Sequence, residues 1–184
     1  RLNVSAQVNE HWTAKTRIDY TTDLNDSKNA SSVTVDRAYV EGTYGNTVID
    51  LGKFYYKTHG DRGMFMDERV SGAQVTFGKD VKATVTIGRY NFNNYGVCGS
   101  SSSASNYSTA SYQGIEVYNN EKNKFTWGVA YHHFNGGIKE NNAKYNADNA
   151  SIWDIGLGYK FNPNLGLYGA YAKNTQGNSD SKNQ

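Results

Sequence analysis

Lys15, Arg17 and Asp19 recur at every second position, and Arg37, Tyr39 and Glu41 repeat the pattern further on. Alternate residues of an extended chain share a face. Each trio is therefore a row of fixed charge along a strand, not a convergent catalytic cluster. A second concentration of charge lies in Tyr56 to Arg69, YKTHGDRGMFMDER, which holds Lys57, Asp61, Arg62, Asp67, Glu68 and Arg69.

Other chemistries find less support. His132 and His133 are adjacent on an alternating run and point to opposite faces, so they cannot chelate one metal together. His11 and His59 stand alone in sequence. The stretch Asp23 to Asn29 has Lys28 where a calcium loop needs glycine, and Thr34 where it needs the closing glutamate. Cys98, the single cysteine, precedes a serine run, Ser100 to Ser103, and no His and carboxylate accompany it as a nucleophile would require. We expect no metal, no cofactor and no enzymatic activity. With 19 basic and 17 acidic residues and no basic run, nucleic acid is not an expected partner.

The elements that must hold these charges are strands. The chain is polar, with a mean hydropathy of −0.75, yet carries 15 Tyr and 19 Gly against one Pro. Aromatic content of this kind argues against disorder and for strands and turns. Ten alternating segments stand out: Arg1–Val8, Trp12–Thr21, Val33–Tyr44, Thr47–Tyr55, Val70–Phe77, Val81–Tyr90, Tyr112–Tyr118, Phe125–Phe134, and two within Ile152–Lys173 split by Asn162-Pro163-Asn164. Their connectors alternate in length. The short ones are Asn9 to His11, Gly45-Asn46, Gly78 to Asp80, Asn119 to Lys124 and Asn162 to Asn164. The long ones are Thr22 to Ser32, Tyr56 to Arg69, Asn91 to Ser111 and Asn135 to Ala150.

No apolar run approaches the ~20 residues of a membrane helix, which leaves a membrane β-barrel open. Segments near ten residues, with short turns at one rim and long loops at the other, fit such a barrel. The oily face (Trp153, Ile155, Leu157, Tyr159, Phe161) would then meet lipid, and the charged face a hydrated lumen. Burying Lys15, Arg17, Arg37 and Lys82 in a dry core would cost several kcal/mol each unless they were paired. Trp12, Tyr44, Phe125, Trp153 and Phe161 are expected beside the short turns, as an interfacial girdle. Arg1 starts within an alternating run and the chain closes on a polar stretch, so we expect an internal piece of a longer protein.

Leu51-Gly52-Lys53-Phe54 and Ile87-Gly88-Arg89-Tyr90 share a pattern in which a cation falls on the oily parity. A bulge at the glycine could turn the cation inward, or the cation could sit at the outer rim and reach lipid phosphates. We expect the bulge at Lys53 and leave Arg89 open. Arg37-Ala38-Tyr39-Val40, Gly45 and Asp50-Leu51-Gly52-Lys53, followed by a mid-length loop, resemble the part of Gram-negative outer-membrane porins that leads into their third external loop. The wording DRAYVEGTYGNTVIDLGKFYY looks most like the porins of diderm Firmicutes, whose S-layer-homology domain is absent here. Where the porin pattern usually has Arg, this chain has Lys53.

The resemblance implies that the loop within 56–69 folds into the barrel, with Arg62, Asp67, Glu68 and Arg69 facing wall cations Arg17, Arg37 and Lys53, and with Met64-Phe65-Met66 pinning it. It also implies a homotrimer in the outer membrane, in contact with the lipid bilayer and lipopolysaccharide. The expected fold is all-β: one antiparallel transmembrane β-barrel unit over residues 1–184, whose ten strands are part of a barrel of about 16–18. The expected function is passive diffusion of small hydrophilic solutes and ions. The inward parity carries Lys15, Arg17, Arg37, Lys82 and Lys160 against Asp19, Glu41, Glu116 and Asp154, which predicts weak selectivity, slightly for anions. The alternatives are a plugged structural or adhesive barrel, an outer-membrane enzyme, and a soluble lectin-like sandwich. Conductance, a catalytic cluster at the rim and solubility without detergent separate them.

Overall fold

The computed structural model describes residues 1–21, 32–91, 109–119, 122–135 and 150–176. The stretch 23–29, Cys98 and the serine run lie outside the described residues. The fold is ten antiparallel strands in one sheet, each paired with its sequence neighbours, and the described residues contain no helix. The strands are β1 (Leu2–Gln7), β2 (Trp12–Thr21), β3 (Ser32–Tyr44), β4 (Thr47–Lys57), β5 (Asp67–Gly78), β6 (Val81–Asn91), β7 (Thr109–Asn119), β8 (Phe125–Asn135), β9 (Ala150–Asn162) and β10 (Leu165–Gln176). Every expected segment forms a strand. Most reach further than expected toward the rim of the long connectors, and the β4–β5 connector shrinks to residues 58–66. β1 and β10 lie at opposite edges, so the sheet is open.

The tight-turn rim is organised by side chains that replace missing ladder bonds. Asn9 Oδ1 accepts from the amides of His11 and Trp12, both at 2.9 Å. Asn119 accepts from the Trp127 amide and donates to the Phe125 carbonyl, closing the β7–β8 connection at 2.8 Å each. Asn162 Oδ1 accepts from the Asn164 amide at 2.9 Å. Between β3 and β4 the two-residue turn Gly45-Asn46 has φ +58° at Gly45 only, the requirement of a type II′ hairpin turn.

Register carries the alternation across the whole sheet. Gly42, Ile49, Val75, Val85, Ile115, Tyr131 and Trp153 form one cross-strand row on the aliphatic face. The row starts opposite Trp12, the residue next to the β1–β2 turn, and ends at Lys173, deep inside β10. The stagger is the geometry of tilted strands. Leu51, Phe77, Ile87, Phe125, Val129, Ile155, Leu157 and Phe161 stand on this face with roughly half of their surface exposed. Six aromatics gather at its tight-turn rim: Trp12, Tyr44, Phe77, Phe125, Tyr159 and Phe161. There the Trp12 indole donates to the Tyr44 hydroxyl at 2.8 Å. Trp153 is not among them. It lies toward the opposite rim against Tyr131, ring centroids 4.6 Å apart, because nine residues of β9 separate it from the Asn162 turn.

The buried residues lie on the other face. Phe54, Tyr56, Val70, Ala110, Tyr112, Phe134 and Ala150 cluster there with Met66 from the β4–β5 connector. The molecule thus buries a small mixed core on its polar face and leaves its aliphatic face uncovered.

Candidate functional site: a charged sheet face and its cover

The polar face has an open half over β1–β4 and a covered half over β7–β10. On the open half Lys15 ion-pairs with Glu41 at 2.6 Å, beside Tyr39. Arg17 and Arg37 sit directly opposite each other on β2 and β3. Two like charges so placed repel, and carboxylates offset this. Asp19 pairs with Arg17 at 3.0 Å, and Asp36 reaches Arg17 at 3.4 Å, Arg37 at 3.2 Å and Arg69 at 2.6 Å. Glu68 completes the chain through Arg69 at 3.5 Å.

Asp36 is the residue that sequence reasoning missed. The ladder between β2 and β3 slips between Arg17 and Ile18, so Asp36 is an inserted residue with no partner of its own. The insertion aims its carboxylate into the arginines. The signal was in the sequence: apolar residues occupy 33 and 35 and then 38 and 40, a change of parity across Asp36-Arg37.

Lys53 corrects an expectation. Pairing runs without a slip through Gly52, and Lys53 stands opposite Ala38 and Ser71 on the aliphatic face. Gly52 has φ +126°, and a β-carbon there would collide with the Ala38 carbonyl. The glycine serves a close backbone approach between β3 and β4, not a bulge. The β3–β4 ladder ends at the Ala38–Lys53 pair, and the ammonium donates to the Val35 carbonyl at 3.2 Å. Arg89 likewise pairs regularly, opposite Ser71 and Ser111, on the face of Ile87.

The cover is the segment 58–66. Asp61 is its internal hub and is 1% exposed. Its carboxylate accepts from the Thr58 hydroxyl and from the Gly63 and Phe65 amides, the latter two at 2.8 Å. Arg62 and Gly63 both take positive φ, 57° and 75°, which reverses the chain. Tertiary contacts hold the hub down. Glu116, buried on β7, accepts from the His59 amide at 2.6 Å and the Gly60 amide at 2.8 Å. The His59 ring stacks on Tyr118 with centroids 4.0 Å apart. The Tyr168 hydroxyl donates to the Gly60 carbonyl at 2.9 Å, and the Arg62 guanidinium lies over the Tyr168 ring at 4.4 Å.

Three glycines make this seat possible. Gly60 lies so close to Gly128 and Gly156 that a β-carbon on any of the three would strike the backbone of another. Beside the seat, Tyr112, His132 and Asp154 form a buried hydrogen-bonded chain: Tyr112 Oη to His132 Nδ1 at 2.7 Å and His132 Nε2 to Asp154 at 2.8 Å. Phe65 packs on His132, ring centroids 5.3 Å apart.

The expected residues divide accordingly. Lys15, Arg17, Asp19, Arg37, Tyr39, Glu41 and Lys82 share the polar face. Arg62 belongs to the cover. Asp67, Glu68 and Arg69 lie on β5 itself and not in a loop, with Glu68 buried opposite Tyr56, and with Asp67 and Arg69 on the parity of Ser71, that of the aliphatic face, from which the Arg69 guanidinium reaches Asp36. Glu116 and Asp154 share this face with Lys15 and Arg17 but are buried, Glu116 holding the amides of the cover and Asp154 holding His132. No protein-family model matches the chain, and no curated protein sequence aligns with it.

Proposed function

We propose that the chain is the wall of an outer-membrane β-barrel of the porin type, through which small hydrophilic solutes and ions diffuse passively. One observation carries this reading: the faces are inverted. The aliphatic and aromatic face is uncovered across all ten strands, whereas the opposite face buries Glu116, His132 and Asp154. An apolar surface of this extent is not left in contact with water by a soluble monomer, and a bilayer supplies the missing cover. In that setting the aromatics at the tight-turn rim form an interfacial girdle, with Tyr131 and Trp153 toward the other interface. Trp153 and Phe161 are about 27 Å apart along β9 at ~3.4 Å per residue, and strand tilt brings that span within the ~25 Å apolar band of such barrels. The stagger in register supports closure with further strands.

The open half of the polar face would line the water column, and the 58–66 cover would narrow it. Contact with lipopolysaccharide at the outer rim, where Lys53 and Arg89 stand, and assembly as a homotrimer belong to the same proposal. The test is single-channel conductance of the purified protein in planar bilayers, and discrete ohmic steps are expected. An electrically silent protein that still requires detergent would favour the second reading, a plugged adhesive barrel. The depth to which Phe65 and Met66 pack into the polar face is the feature that favours it. A protein soluble and monomeric without detergent would overturn both.

A further inference from the structure

The charges of the aliphatic face are nearly all of one sign and lie at one end. Among the described strand residues, Lys53, Lys57, Arg69, Arg89 and Lys173 share its parity, and Asp67 is the one carboxylate that does. Asp67 stands opposite Lys57, and Arg69 turns to Asp36. Lys53, Arg89 and Lys173 stand six, eight and eight residues beyond the first residues of β4, β6 and β10, toward the rim of the long connectors. Two of them flank one hydroxyl, because Ser71 pairs directly with Lys53 on one side and with Arg89 on the other. Lys53 uses one of its three N–H donors on the Val35 carbonyl, and the exposed Arg89 has no carboxylate partner among the described residues. The next row on this face toward the tight turns is Leu51, Ala73 and Ile87. Leu51 and Ile87 are 42% and 56% exposed, with the small Ala73 between them. Two cations astride a hydroxyl thus adjoin two aliphatic side chains astride a methyl.

We propose that Lys53, Ser71 and Arg89 bind the phosphate of an anionic membrane lipid whose acyl chain lies against Leu51, Ala73 and Ile87. The backbones that carry the two cations are ~10 Å apart, two strand spacings of ~4.8 Å each. Both side chains are long enough to meet one phosphate over the serine. A guanidinium fork and an ammonium give phosphate oxygens several charge-assisted hydrogen bonds at once. The apolar row gives a free ion nothing and gives a lipid tail a surface, so the occupant is an amphiphile. The inference deepens the membrane reading and rests on it, because a bilayer is what brings headgroups to this rim.

The test offers the full chain, in a non-ionic detergent, either dioleoyl phosphatidic acid or dioleoyl phosphatidylcholine, and counts retained lipid by native mass spectrometry. Phosphatidic acid should be retained in preference. Lys53→Gln/Arg89→Gln should weaken its retention about tenfold, as should Ser71→Asp, which keeps both cations and sets a carboxylate between them. Inorganic phosphate at the same concentration should leave the lipid in place, and displacement would mean an ion site without a lipid contact and overturn the proposal. Equal retention of the two lipids, or folded variants that hold phosphatidic acid as the parent does, would also overturn it. Planar-bilayer conductance keeps the two readings apart. A protein that retains phosphatidic acid without conducting keeps this site and loses the channel, and a conducting protein whose retention matches its variants does the reverse.

Discussion

The two halves of the polar face carry the same kinds of side chain and treat them oppositely. Over β1–β4 the charges meet one another. Lys15 and Glu41 are each about one-third exposed, and three arginines share Asp36. Over β7–β10 the charges meet backbone and ring donors, and Glu116, His132 and Asp154 are sealed. Water screens the Lys15–Glu41 pair, which contributes little to stability, whereas Asp36 is only 9% exposed and depends on its arginines for compensation; both shape the local field. The second set has no water to fall back on, so each lost partner leaves an unsatisfied group. The difference arises from nine residues, 58–66, that lie over one half and not the other.

The comparison is broken most directly at the glycine seat. Gly156→Val places a side chain where the Gly60 backbone runs. We expect the cover to be expelled, at a cost above the ~1–3 kcal/mol typical of overpacking, with trypsin cleavage at Lys57 or Arg62 and a rise in single-channel conductance. Cleavage and conductance like those of the parent would mean that the cover is not seated there. Glu116→Ala ranks next. It strips two buried amides of their acceptor at about 1–3 kcal/mol per group, and hydrogen exchange at His59 and Gly60 should accelerate strongly. Glu116→Gln keeps one carbonyl oxygen and should lie between.

On the open half the readout changes from structure to field. Asp36→Asn removes the shared carboxylate of Arg17, Arg37 and Arg69 without removing volume. Reversal potential in a salt gradient should move toward anions, and because Asp36 is only 9% exposed and compensates three arginines, thermal stability should fall as well, by about 3 kcal/mol. An unchanged reversal potential would mean that this carboxylate does not act on the passage. The smallest effect is expected for Lys15→Gln, whose partly exposed pair with Glu41 contributes about 0–1 kcal/mol and whose loss should register as a slight shift toward cations.

Much of this was legible in the chain. All ten strands and the face of Lys15, Arg17, Tyr39, Glu41 and Lys82 follow from alternation, and the parity change at Asp36-Arg37 announces a bulge to a reader who counts it. Strict alternation also gave Lys53 its correct face, and invoking a bulge at Gly52 overrode a pattern that was right. The glycines at 60, 128 and 156 are visible as residues but not as a set. Nothing local links positions so distant in sequence.

Side-chain direction along a strand is set by the pleat of the backbone, a property of neighbouring peptide units, and so the amino-acid order alone determined which residues share a face. Which charges on that face meet one another, which stay in water and which are sealed depends on cross-strand register and on the path of residues 58–66. Those were decided only when Gly60 found Gly128, Gly156 and the Glu116 carboxylate, because hydrogen bonds and close packing act over a few ångströms of space and do not depend on separation in sequence.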